Sequence, residues 1–193
     1  MRFRGAYFVP LLCAGLAMSF FANAAAQTAS QNAAHAAPPK SGAKAPSPQV
    51  YANLAQLMRG IMFPNSNVIF FAQDKNPAEV KPAADPSLST DPLSGTFNGW
   101  AAVENSSLVI AEAANLLTIP GRVCSNGRPV PVTNPDFLTF VQGLRDAGMT
   151  AYKAAQSKSN EKMLDAADVV TTACSNCHDR YRDKPGGLAN RCM

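Results

Sequence analysis

The chain has 193 residues, with 17 Lys and Arg against 13 Asp and Glu and a formal net charge of +4. That length holds one ordinary domain with extensions, and so small a positive excess gives no basic-patch argument for a nucleic-acid partner. Five cysteines and only two histidines bound the redox and metal chemistry the side chains can offer.

Arg2 and Arg4 precede an apolar run from Tyr7 to Phe21, which passes into the small residues Ala22-Asn23-Ala24 and then Ala25-Ala26. Basic residues, a short apolar stretch and a small-residue cleavage site predict a secretory signal peptide over residues 1–26. The run is short for a stop-transfer helix, so no stable membrane insertion is expected after cleavage; a retained anchor is the alternative. Cys13 follows Leu11-Leu12, not the small residues of a lipoprotein site, and departs with the signal. Without Arg2 and Arg4 the net charge falls to about +2. Residues 27–48 are Ala, Pro, Ser and Lys with almost no large apolar side chains. They cannot bury enough surface to offset their ordering entropy and read as a disordered spacer, with His35 solvated inside it.

From Val50 the pattern turns helical. Val50, Leu54, Leu57 and Ile61 repeat at heptad-like spacing, flanked by Met58 and Met62. Pro64 ends or kinks this first helix. Asn65-Ser66-Asn67 offers a cap for a continuation through Val68-Ile69-Phe70-Phe71, a run too short to assign to helix or strand by period alone. Lys75 to Gly95 contains Pro77, Pro82, Pro86 and Pro92 and reads as a long loop of a kind uncommon in a compact domain. A second helix is expected from about Asn98 to Thr118, with Trp100, Val103, Leu108, Ala111, Asn115 and Leu116 on its stripe; Pro120-Gly121 stops it. After a loop from Arg122 to Thr133, Asn134-Pro135 opens a third helix that carries Phe137, Phe140, Val141, Leu144, Ala147 and Ala151 to about Gln156. Ser159-Asn160-Glu161 opens a fourth, with Met163, Ala166 or Ala167, Val170, Cys174, Cys177 and Tyr181 at helical spacing and Pro185-Gly186-Gly187 as its stop. No strand alternation is present. The expected fold is all-α, an antiparallel up-down-up-down four-helix bundle over residues 49–193.

On the fourth helix stands Cys174-Ser175-Asn176-Cys177-His178. This is C-x-x-C-H, the attachment pattern for c-type haem. Two thiols three positions apart can each form a thioether to a haem vinyl group, and the next residue offers an imidazole to the iron. A thioredoxin-like redox pair wants a βαβ context with the pair opening a helix. A zinc site wants more ligands than the chain supplies near this motif. The haem cysteines agree with the signal peptide, since covalent attachment of this kind belongs to exported bacterial proteins; both point to the periplasm.

The stretch Cys174-Ser-Asn-Cys177-His178-Asp-Arg-Tyr181-Arg182, near the end of the last of four helices, resembles the cytochrome c-prime family, including its low-spin, Met-ligated members. The resemblance covers roughly Val50 to Arg182 in layout and about nine residues in motif. It implies one covalent haem c held by Cys174 and Cys177, with His178 proximal and Arg182 near the proximal face. The Phe63 to Gln73 stretch and the two Pro-rich loops depart from the compact family pattern. Arg182 also reads as a solvated cation at the helix C-terminus, and Tyr181 as an aromatic packed on the haem face.

With His35 in the spacer, bis-His ligation is excluded, and the sixth iron position falls to Met, something unusual, or nothing. In an up-down-up-down bundle the first helix begins where the fourth finishes. Counted along the helices, His178 lies about 7 Å from that end, Met58 about 13 Å, Met62 about 19 Å and Met149 about 21 Å up the third helix. Met163, on the same helix as His178, cannot reach the far face. Met58 is nearest in level, and the family places its distal residue on the first helix; Met62 is second, and ordinary core packing is the competing role for Met58. The same topology brings Cys124, between helices two and three, to the end where Cys192 follows helix four. An oxidising compartment permits a disulfide between them; two free thiols are the alternative.

Two functions follow. With His178 and Met58 on the iron, the chain is a periplasmic single-haem electron carrier serving redox partner proteins, its potential raised by thioether ligation. With the sixth position open, it binds nitric oxide or carbon monoxide. A peroxidase needs a distal acid–base pair that no second ordered histidine supplies, so no enzyme activity is expected. A homodimer stays open.

Overall fold

The computed structural model describes residues 47–183 and 191–192. The signal peptide, most of the spacer, His35, Cys13 and the Pro185-Gly186-Gly187 stop lie outside the described residues. Helix α1, Leu54–Leu57, starts later than the apolar pattern from Val50 suggests. The reason is a capping box: Asn53 Oδ1 accepts from the Gln56 backbone N–H, and Gln56 Oε1 accepts from the Asn53 N–H, both at 2.9 Å. Two otherwise orphaned donors are satisfied at once, and that fixes the first turn.

The helix does not end at Pro64. A π turn, Met58–Met62, follows α1 and runs directly into α2, Phe63–Asp74. The Phe63 N–H reaches back to the Met58 carbonyl, five residues earlier. Proline has no N–H to give and its ring crowds the carbonyl four residues before it; the wider turn accommodates both problems without breaking the rod. The Val68–Phe71 run is therefore helix. Ile69 within it is fully buried.

Residues 75–99 form the expected long connection, with one 3₁₀ turn at Pro86–Leu88. It is pinned to the domain. Leu93 and Pro77 are fully buried, and Lys75 pairs with Asp91 at 2.6 Å. Gly99, at φ +56°, closes the loop by donating to the Leu93 carbonyl at 2.8 Å. A Cβ there would meet the Pro77 carbonyl oxygen at 2.5 Å, so only glycine fits.

Helix α3, Trp100–Leu117, lies within two residues of its expected limits. Trp100, Val103 and Ala111 of the expected stripe are buried, but Ser106, Ser107, Ile110, Ala114 and Leu117 share that face, while Leu108 and Leu116 are only half-buried. Asn115 is exposed and accepts from Arg145 Nε at 3.0 Å. Helix α4, Pro135–Ser157, begins with proline at its first turn. It ends at Lys158 in the left-handed region, φ +52°. Ser159 then caps α5, Asn160–Tyr181, by accepting from the Lys162 N–H.

Among the described residues the fold is helical and packed helix on helix, with a lone backbone bridge between Val123 and Pro129 in place of any strand. α2 touches α3 and α5, α3 touches α4, and α4 touches α5, which closes the ring. Ile69, Val103, Ile110, Val141, Met163 and Val170 fill its interior, each contributing about 2 kcal/mol by burial. No helix among the described residues is long and apolar enough to cross a membrane.

The connection from α3 to α4 is tied in two directions. Arg122, buried, donates from Nε and Nη2 to the Leu116 carbonyl at the end of α3 and from Nη1 to the Ala52 carbonyl at 2.6 Å. Cys124 is joined to Cys192 in a disulfide with the Cα atoms 4.7 Å apart, the pairing the topology allowed.

The α3–α4 seam is close enough to discriminate between two glycines of one helix. A Cβ on Gly148 would lie 2.7 Å from the Ala111 nitrogen and 3.0 Å from the Ser107 carbonyl oxygen, whereas one on Gly143 meets nothing within 4 Å. Gly148→Ala is expected to lose about 1–3 kcal/mol in urea unfolding through overpacking. Gly143→Ala should gain about 0.5–1 kcal/mol from helix propensity. Similar shifts in the two variants would refute the seam.

Candidate functional site

Cys174, Cys177 and His178 fall on one side of the last turns of α5, because positions three and four apart share a helix face. Arg182, four beyond His178, extends the strip past the helix end. Upstream on the same strip Met163, Ala167 and Val170 are fully buried, but Cys174, Cys177 and His178 are only half-buried. The core stops there and a cavity of about 350 Å³ takes its place.

Cys174, Cys177, His178 and Arg182 line that cavity from α5. Met58, Arg59 and Met62 line it from the π turn. In an i→i+5 turn, residues four apart stand nearly above one another, so both methionines border the same space. Phe63, Ser66 and Phe70 from α2, and Phe140 and Val141 from α4, complete much of an apolar lining. The two other candidate thioethers are elsewhere. Met163 is sealed in the core and Met149 is exposed on α4.

The capping box moves Met58 relative to the sequence-based count. It stands about 6 Å along the rod from the start of α1, and His178 about 5 Å from the end of α5.

The His178 ring meets Arg182 Nη1 through Nδ1 at 2.9 Å. A guanidinium can only donate, so Nδ1 accepts and the ring proton is on Nε2. Burial, then the Arg182 charge, holds the imidazole below its ordinary pKa. Arg182, at the C-cap of α5 and partly exposed, is itself paired with Asp183, Nε to Oδ1 at 3.0 Å and Nη2 to Oδ2 at 2.7 Å.

Tyr181 does not border the main cavity. It lines a smaller space beside it, shared with Met58, Cys177 and His178. Its hydroxyl donates to Asp136 Oδ1 at 2.6 Å, and its ring lies edge-on to Phe137 and Phe140, with centroids 5.4 and 6.3 Å away. Asp136 also accepts from Arg180 Nε at 3.0 Å. These bonds hold the Asp136 carboxyl below its usual pKa, Tyr181 most and Arg180 next. The start of α4 thereby fixes the end of α5. Asp136, Arg59, Phe70 and Phe140 carried no signal in the sequence beyond their neighbours.

Cys174 and Cys177 are free thiols near the C-terminal end of a helix. Reactive redox pairs sit at helix N-termini, where the dipole stabilises thiolate; here that advantage is reversed. Burial raises Cys174, and burial followed by the Cys174 and Asp136 charges raises Cys177 to about 11. Among the described residues, no three His, Cys, Asp or Glu side chains gather as ligands for a bare metal ion. The donor set is two thiols and an imidazole on one helix and two thioethers on another, around an apolar space.

Comparisons with protein-family models, with curated proteins and with solved structures return no match to this chain.

In the folded chain with both thiols free, iodoacetamide at neutral pH should alkylate Cys177 about two orders of magnitude more slowly than an unfolded thiol. The rate should climb with pH until the thiol ionises at about 11. Peptide mapping of timed samples, with and without urea, reads this directly; equal folded and unfolded rates would refute the burial argument.

Proposed function

We propose that the chain is a periplasmic c-type cytochrome, an antiparallel up-down-up-down bundle that carries single electrons between partner proteins. One observation carries the reading: Cys174, Cys177 and His178 of C-x-x-C-H and two methionines from another helical segment border a single, largely apolar cavity. Neither the motif nor the methionines alone would require the other to be there.

The residues suit a haem. Cys174 and Cys177 would hold it by thioether bonds, His178 would ligate from α5, and Met58 would take the sixth position, with Met62 as the second candidate. When bound, the group supplies a one-electron couple. A Met58 thioether on the iron would favour the reduced state, and the largely apolar lining would lower the polarity around it. Ligation through Nε2 of a neutral imidazole puts the ring proton on Nδ1. Arg182 must then release the ring, and its bidentate hold on Asp183 gives it a place to remain. Arg59, exposed and bordering the cavity, offers positive charge to an anionic group at the mouth. The signal-like pattern of residues 1–26 supports maturation outside the cytoplasm, and the disulfide suits an oxidising compartment.

The test is the full chain expressed with haem-maturation machinery. The product should be coloured, heavier than the bare chain by one haem, and low-spin, with the far-red sulfur-to-iron charge-transfer band in the ferric state. Met58→Leu should abolish that band and Met62→Leu should keep it. A colourless product overturns the haem reading. A band that survives in Met58→Leu overturns the Met58 assignment, and rapid carbon monoxide binding to the reduced wild-type chain favours the open, gas-binding iron.

A further inference from the structure

The two helix ends that carry Met58 and His178 are gripped by one piece of chain. The Leu54 N–H donates to the Val123 carbonyl at 2.9 Å, and Arg122 Nη1 donates to the Ala52 carbonyl at 2.6 Å. The two bonds hold the chain four and six residues before Met58. The next residue, Cys124, is bonded to Cys192. The Cys192 N–H in turn donates to the Tyr181 carbonyl at 2.9 Å, three residues from His178. Asn126 Nδ2 adds a parallel tie to the Arg191 carbonyl at 2.7 Å.

We propose that Arg122 and the Cys124–Cys192 bridge form a brace that sets the span between Met58 and His178, and so decides whether the sixth iron position is closed. The inference rests on the cytochrome reading above. It assigns the choice between electron carrier and gas binder to residues outside the main cavity, of which Cys192 borders the smaller space beside Met58 and His178.

Three features make this more than loop packing. Arg122 is buried, and its fork is spent on the neutral carbonyls of Leu116 and Ala52; a lysine could not grip both carbonyls in that geometry. Leu116 lies in the last turn of α3, whose negative dipole end favours the cation. α2 makes the main contact of the rod with α5, and the π turn itself packs on α3. Leu54 and Leu57 are buried in the core, so loss of the brace leaves the bundle packed and loosens chiefly the tie from the start of α1 to the end of α5. Arg122, Cys124 and Cys192 are positioning residues: they act through Met58.

The experiment is a double-mutant cycle on the full, matured protein, reduced with ascorbate so that the disulfide survives. Carbon monoxide association is measured for wild type, Cys124→Ser/Cys192→Ser, Met58→Leu and the triple variant, with the ferric far-red band and helical circular dichroism alongside. A larger fraction of open sites raises the apparent affinity in proportion. The bridge-less variant should keep its helicity, weaken the far-red band and bind carbon monoxide about tenfold more readily than wild type. In the Met58→Leu background, loss of the bridge should change nothing further. An unchanged band and unchanged binding in the bridge-less variant overturn the brace while leaving the cytochrome reading intact. A wild-type protein that holds haem but shows no far-red band overturns Met58 ligation and the brace together. If the double serine variant fails to fold, Arg122→Gln enters the same cycle with the disulfide in place, and the same outcomes decide.

Discussion

A proline inside a helix shapes this molecule. Pro64 has no N–H for the ladder, and the chain answers with one wide turn from Met58 to Met62. Had the rod broken at Pro64, the turn carrying Met58 would be a separate piece, joined to the bundle only by a loop. Instead α1, the π turn and α2 act as one rod whose buried residues, Ile69 above all, anchor the cavity-lining turn. The two methionines, four apart, border one space because the rod stays continuous through the turn, and the core holds the turn in place.

The end of α5 shows how a site is exempted from packing. The same stripe that buries Met163 and Val170 arrives at Cys174 and Cys177 with no facing side chains large enough to close the gap. Interiors are close-packed, and voids larger than a water molecule are few. An apolar space of this size beside two thiols and an imidazole is a departure that packing does not account for. The pKa directions agree with this reading. Thiols held protonated by burial and by a helix C-terminus are poor nucleophiles toward passing disulfides, which is compatible with sulfurs kept for a single covalent use.

Much of this was legible in the chain itself. The helix limits for α3, α4 and α5 follow from Pro135, from the Ser159 cap and from apolar residues at helical spacing, and C-x-x-C-H announces itself. On α3 the stripe is right at Trp100, Val103 and Ala111 and off at Leu108, Asn115 and Leu116, because Ser106, Ser107, Ala113 and Ala114 look neutral to a hydrophobic count. They are inside because the seam with α4 is narrow, and Ser107 satisfies its hydroxyl on the Val103 carbonyl at 2.7 Å. The start of α1 was set by a side-chain cap, Asn53 with Gln56, that the apolar pattern outweighed. The loop after α2 looked unstructured by composition, yet Leu93 and Pro77 key it into the core. The π turn had only Pro64 as its signal, and a proline within a helical pattern more often means an end. The chain order and the level of Cys124 foretold its bond with Cys192; the grip of Arg122 on two carbonyls is tertiary and left no local trace.

The connection between α4 and α5 is only Lys158 and Ser159, one in the left-handed region and the other a cap. Nothing in so short a link can absorb a change of register. One residue gained or lost there would spin the last helix by about 100° about its own axis. The sulfurs would then look toward solvent or into α4, with every atom of C-x-x-C-H still present. Orientation at this end of the bundle is thus inherited from where the preceding helix stops, and the motif's chemistry is only as good as that two-residue hinge.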